Sequence, residues 1–101
     1  MYTLKVKVWL ERDGKFLISD GRARLLQLIL ETKSLKKAAG EMGMSYRHAW
    51  GVLRRINDAA GGRVVESKRG GNFRESTVLT PLGKEILDEY KRKAAKAKRH
   101  F

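Results

Sequence analysis

The stretch Ser34–Gly61, SLKKAAGEMGMSYRHAWGVLRRINDAAG, divides into two short helices around a break at Gly43-Met44. Leu35, Ala38 and Met42 recur at three- and four-residue steps and so share one face of a first helix. Ala49, Val52 and Ile56 do the same in a second. Ala39 is small where the helices would cross, Gly43 accepts the positive φ of a tight turn, and Met44 returns to the core. Ser45 suits the N-cap, because its hydroxyl accepts from the free amides of the first turn. Tyr46, Arg47, His48, Arg54 and Arg55 are then left exposed on the second helix. This is the layout of a helix-turn-helix, whose second helix reads the major groove with its N-terminal residues. The plainer alternative is an ordinary helix pair with its arginines on a solvated face.

The 101 residues suffice for one domain with a modest core. The longest apolar run, Leu25 to Leu30, is interrupted by Gln27 and is far too short to span a bilayer. The N-terminus lacks the layout of a signal peptide, so a cytoplasmic, nucleoid-associated location is expected. No cysteine occurs, which excludes disulfides, thiolate zinc sites and a cysteine nucleophile. The net charge of +12 predicts an anionic partner, nucleic acid before an anionic membrane surface. Charge of this size is equally compatible with a sequence-specific protein and with one that coats DNA.

Upstream, Leu4 to Glu11 alternates, with Leu4, Val6, Val8 and Leu10 on one face, the pattern of a half-buried strand. Asp13-Gly14 predicts a tight hairpin turn, with Phe16 to Ile18 returning. The hairpin would serve as an edge ribbon or as a place where a second subunit adds on. Asp20 is expected to cap a helix running to Thr32, whose Leu25, Leu26, Leu28, Ile29 and Leu30 cover more than one stripe. Burial on two sides follows, with either the core alone or a partner helix taking the second side.

Downstream, Gly61-Gly62 ends the second helix of the central pair. Two short strands, Arg63 to Ser67 and Thr77 to Leu79, flank the basic, glycine-rich segment 68–76. That is the pattern of a wing, a hairpin laid along phosphates, in which Lys68, Arg69, Asn72 and Arg74 supply the contacts. The alternative is a loose tip that is basic because the whole chain is. Thr80 as N-cap and Pro81 at the first position open a last helix. Leu82, Ile86, Tyr90, Ala94, Ala97 and Phe101 form one stripe along it, expected to be too long for so small a domain to cover. An antiparallel homodimer through Leu82, Ile86, Tyr90 and Ala94 would bury it. The alternative is fraying after Tyr90. The predicted fold is α+β: a winged helix-turn-helix with an N-terminal hairpin, a three-helix core, a wing and a dimerisation helix over 81–101.

The stretch Gly43-Met44-Ser45-Tyr46-Arg47-His48-Ala49-Trp50, preceded by Lys36-Lys37-Ala38-Ala39, resembles the N-terminal DNA-binding domain of ModE-type molybdate-responsive regulators. Val65-Glu66-Ser67, Gly70-Gly71 and Leu79-Thr80-Pro81-Leu82-Gly83 are similar to their wing and following helix, a pattern that LysR-type regulators partly share. The resemblance spans roughly Asp20 to Tyr90. It implies a dimeric winged helix that binds double-stranded DNA through its second motif helix and its wing. Those regulators carry C-terminal oxyanion-binding domains, and the chain ends at Phe101. A stand-alone DNA-binding domain is therefore expected, without a molybdate site or other small-molecule ligand.

Roles follow from position. Tyr46, Arg47 and His48 would meet base edges or flanking phosphates, with Ser45 both capping and touching phosphate. Arg54 would lie closer to the backbone. Lys36 and Lys37 would hold phosphate beside the first helix's free amides. Trp50 falls between core and groove, bracing the wing or stacking on a base. Other classes of function are an architectural nucleoid protein, an RNA-binding module and a protein-interaction domain, which would leave the basic wing unexplained. No catalytic group, cofactor, metal or membrane partner is expected, because no carboxylate cluster or phosphate-cradling glycine motif occurs.

Overall fold

Asp13 and Gly14 both adopt positive φ, 51° and 79°, the combination that a two-residue hairpin loop of the right twist requires. They join β1 (Trp9–Arg12) to β2 (Lys15–Ser19) in an antiparallel pair, with Arg12 opposite Lys15 and Trp9 opposite Ser19. The chain continues through α1 (Asp20–Thr32), α2 (Leu35–Glu41) and α3 (Tyr46–Ala60). A second antiparallel pair, β3 (Val65–Arg69) and β4 (Glu75–Leu79), precedes α4 (Pro81–Lys98). These coordinates are a computed structural model, which describes residues 1–69 and 75–100, apart from the side chains of Arg69 and Glu75. The result is an α+β fold of four helices and two small antiparallel sheets, compatible with a winged helix. Among the described residues no helix is long and apolar enough to cross a membrane.

The expected strand over Leu4 to Glu11 is a strand only from Trp9 onward. The reason is its partner's length. Ser19, opposite Trp9, is the last extended residue before α1, so nothing remains for Leu4 to Val8 to pair with. The alternation survives in burial, with Val6, Val8 and Leu10 half-buried, but Leu4 is exposed. A bulge between Leu10 and Glu11 leaves Leu17 as the extra residue of β2, so Leu17 and Ile18 both turn into the core.

That core is built by Leu25, Leu26 and Ile29 of α1, Leu35 and Ala38 of α2, Leu53 and Ile56 of α3, Val64, and Leu87 of α4. Fully burying one such aliphatic side chain contributes roughly 1.5–3 kcal/mol. α1 is indeed buried on two sides, with Leu30 left largely exposed. Its N-cap position is Ser19, not Asp20, and no side chain caps it. Asp20 instead accepts a hydrogen bond from the Tyr90 hydroxyl, and Lys98 Nζ lies 3.4 Å from its Oδ2.

The stripe on α4 is covered by the chain itself. Ile86, Tyr90 and Ala94 are only 6%, 6% and 8% exposed in a single copy. Val8, Trp9 and Leu10 flank Tyr90 and Ala94 on one side, and Asp20, Ala23 and Leu28 of α1 flank Tyr90 on the other. The premise that a second copy is needed to bury Ile86, Tyr90 and Ala94 is therefore corrected: the N-terminal hairpin folds over α4. Leu82 and Ala97 are half-buried, the helix runs to Lys98 without fraying at Tyr90, and Phe101 lies outside the described residues.

The Asp20–Tyr90 pair has a pH signature. The hydrogen bond from Tyr90, helped by the charge of Lys98, holds the Asp20 carboxyl below its ordinary 3.8 against an upward push from burial. Burial, then the contact with Asp20, pushes the Tyr90 phenol up to about 12. The Asp20 contribution is present above its unfolded pKa and lost as pH falls through the lower folded value, while the Tyr90 contribution is lost as pH rises past 10. Tyr90→Phe is expected to lower stability fully between about pH 5 and pH 9, the deficit shrinking on either side. Denaturant unfolding across pH measures this, and a deficit that stays constant into strong acid contradicts the pairing.

Candidate nucleic-acid interface

Ser34 opens α2 by accepting from Lys37 N at 3.1 Å. The helix ends at Glu41 with Met42 as its C-cap, Gly43 at a φ of 66° then reverses the chain, and Met44 N donates back to Ala39 O at 3.0 Å. Ser45 then caps α3, accepting from His48 N at 3.0 Å. Both the turn glycine and the capping serine stand where the sequence placed them. Met42 and Met44 pack half-buried against the core. Ala49, Leu53, Ile56, Ala59 and Ala60 form the inward face of α3. Leu53 was missed in the sequence pattern and Val52 is only half-buried, because the face is centred one residue further along.

At 100° per residue, the outward ridge of α3 carries Arg47, Gly51, Arg54 and Asp58, with His48 and Arg55 on one flank and Tyr46 and Trp50 on the other. Tyr46, Arg47, His48, Arg54 and Arg55 are all exposed. None of the three arginines forms an ion pair among the described residues. Trp50 is half-buried and meets Tyr46 edge-on, with ring centroids 6.2 Å apart and planes at 83°. Beside Arg55 lies Arg22, which donates from Nη1 to Leu17 O at 2.8 Å and stacks 4.5 Å from the Phe16 ring. Burial, and then the like charge of Arg55, lowers the Arg22 pKa. Lys36 and Lys37 are exposed at the start of α2. The face thus gathers unpaired cations from α1, α2 and α3.

The β3–β4 hairpin is tied to α3 by a residue that sequence reasoning overlooked. Asn57 Oδ1 accepts from Val64 N at 2.9 Å, while Asn57 O accepts from Gly61 N and Gly62 N as the helix closes. Two further bonds fix the root: Thr80 N donates to Val64 O at 3.0 Å, and Thr77 N to Lys33 O at 2.9 Å. An asparagine one turn before Gly-Gly was the available signal. Lys68 is exposed, with Glu66 3.9 Å away. Asn72 and Arg74 lie outside the described residues, as does the side chain of Arg69. Next to this root, Thr80 caps α4 by accepting from Gly83 N at 3.1 Å, with Pro81 following. No group of three or more His, Cys, Asp or Glu side chains that would hold a metal is found among the described residues.

No family model matches the chain. Among curated proteins, the molybdenum-pterin-binding protein MopB of Rhodobacter capsulatus is 36% identical over 83 residues, 82% of this chain and 30% of that protein. The molybdenum transport protein ModE of Herbaspirillum seropedicae is 36% identical over 63 residues, 62% of this chain and 23% of that protein. The DNA-binding transcriptional dual regulator ModE of Escherichia coli K12 is 27% identical over 86 residues, 85% of this chain and 33% of that protein. The chain spans at most about a third of the length of each of these relatives. Taken with the residues from Lys36 to Trp50, they show that this chain resembles the N-terminal DNA-binding domain of ModE-type molybdate-responsive regulators.

Proposed function

We propose that this chain is a winged helix-turn-helix protein that binds double-stranded DNA as a homodimer and regulates transcription. α3 enters the major groove, where Tyr46, Arg47 and His48 meet base edges and Ser45 and Arg54 the flanking backbone. Lys36 and Lys37 hold phosphate, and the wing over 68–76 grips it through Lys68, Arg69, Asn72 and Arg74. The observation that carries this reading is the outward ridge of α3: exposed arginines without acidic partners among the described residues, on a helix whose start is fixed by a cap and a glycine turn. A solvated face of no function would gain by pairing its arginines with carboxylates, and Asp58, one turn after Arg54, forms no ion pair among the described residues. The homodimer belongs to this reading, but its contact is not the covered stripe of Ile86, Tyr90 and Ala94. Leu4, Trp9, Phe16 and Leu30 are among the exposed apolar side chains that a second copy would have to cover instead.

The test is a salt titration of affinity on two duplexes, one selected from a random pool and one scrambled. Affinity falls with a log–log slope of about 0.9 per phosphate neutralised, whatever the sequence. A selected palindrome that keeps its advantage at high salt is the expected result. Coincident curves with no enriched sequence would identify an architectural protein instead.

A further inference from the structure

Gly51 stands in the middle of the outward ridge of α3, one turn after Arg47 and one turn before Arg54 and Arg55. Glycine is among the least favourable residues inside a helix, and α3 runs unbroken through it. Nothing among the described residues asks for it. Its φ is not among the positive values, which belong to Gly14, Gly43 and Gly61. A Cβ built on it would meet nothing within 4 Å among the described residues. Buried Gly83 is a counter-example, since the carbonyl of Val64 fills the space its side chain would need. At Gly51 that space is empty and faces outward between two turns of unpaired arginine.

We propose that Gly51 is the point of closest approach between α3 and the floor of the major groove, a base edge packing against bare helix backbone there. The groove is about 12 Å wide and a helix with its side chains about 10–12 Å across, so one missing side chain at the centre of the ridge decides how deeply the helix seats. Depth in turn sets whether Arg47, a turn earlier, reaches a base edge or stops at the phosphates. Gly51 is a specificity-determining residue on this view, and its role rests on α3 being the helix that meets DNA.

The substitution separates folding from binding, because the two move in opposite directions. Gly51→Ala is expected to raise Tm by about 4 °C or more, since it removes a helix-breaking residue from an open site. The same variant is expected to weaken binding to the selected duplex about tenfold, and Gly51→Leu about a hundredfold, with smaller losses on the scrambled duplex. Gly21→Ala, at an equally open site in the first turn of α1, serves as the control and should leave affinity unchanged. If both Gly51 variants bind as tightly as the wild type while Arg47→Ala weakens binding, the close approach is wrong and the α3 reading stands. If Arg47→Ala has no effect either, the reading of α3 fails and this inference with it.

Discussion

Gly83→Ala is expected to destabilise the fold by about 3 kcal/mol or more, lowering Tm on the order of 10–20 °C in thermal unfolding. Gly83 is the third residue of α4 and is buried. The added Cβ would overlap the Val64 carbonyl oxygen and lie 3.0 Å from its carbon and 3.3 Å from its Cα. A side chain in the way can rotate aside. This obstacle is backbone, and it is pinned, because Val64 O already accepts from Thr80 N and Val64 N donates to Asn57. Moving it would break the bonds that root the β3–β4 hairpin beside α3. The better helix propensity of alanine returns only about 1 kcal/mol. A Tm equal to or above that of the wild type would mean that α4 can move off Val64 and that the root is loose.

Arg47→Ala is expected to weaken binding to the selected duplex by about 1–3 kcal/mol, roughly 5- to 150-fold, with a smaller loss on a scrambled duplex. A bidentate pairing with guanine produces that asymmetry, because it is lost only where the sequence presents the partner. Arg54→Ala should differ in kind. As a backbone contact it would lower both affinities alike and reduce the salt slope by about 0.9. Fluorescence anisotropy at several salt concentrations reads both variants. Equal losses on the two duplexes for Arg47→Ala would make it a phosphate contact and would leave base reading to Tyr46 and His48.

What could be read in the sequence was what is decided within a few residues. Ser45, Thr80 with Pro81, Gly43, Gly61 and the Asp13-Gly14 loop are caps and turns whose capping hydrogen bonds or φ values are set by near neighbours. The periodicity of α4 correctly marked Ile86, Tyr90 and Ala94 as buried. It carried no information about what buries them, because apolar spacing is the same whether the cover is a second copy or the chain's own hairpin. The same limit explains Asp20. An acidic residue at a helix start suggests a cap, and only the arrival of Tyr90 from 70 residues away turns it to another partner. Asn57 and Gly83 were passed over for the same reason, each being defined by a contact with Val64. The candidate site was more legible than the packing, since exposed arginines on a capped helix are visible in spacing alone.

The most direct test of the account is to follow the backbone amide resonances of the protein as the selected duplex is added. The account predicts that the largest changes fall between Tyr46 and Arg55 and within 68–76, with smaller ones at Lys36 and Lys37. Changes concentrated on the lysine-rich outer face of α4, with α3 unmoved, would contradict it and would place the nucleic acid on α4 instead.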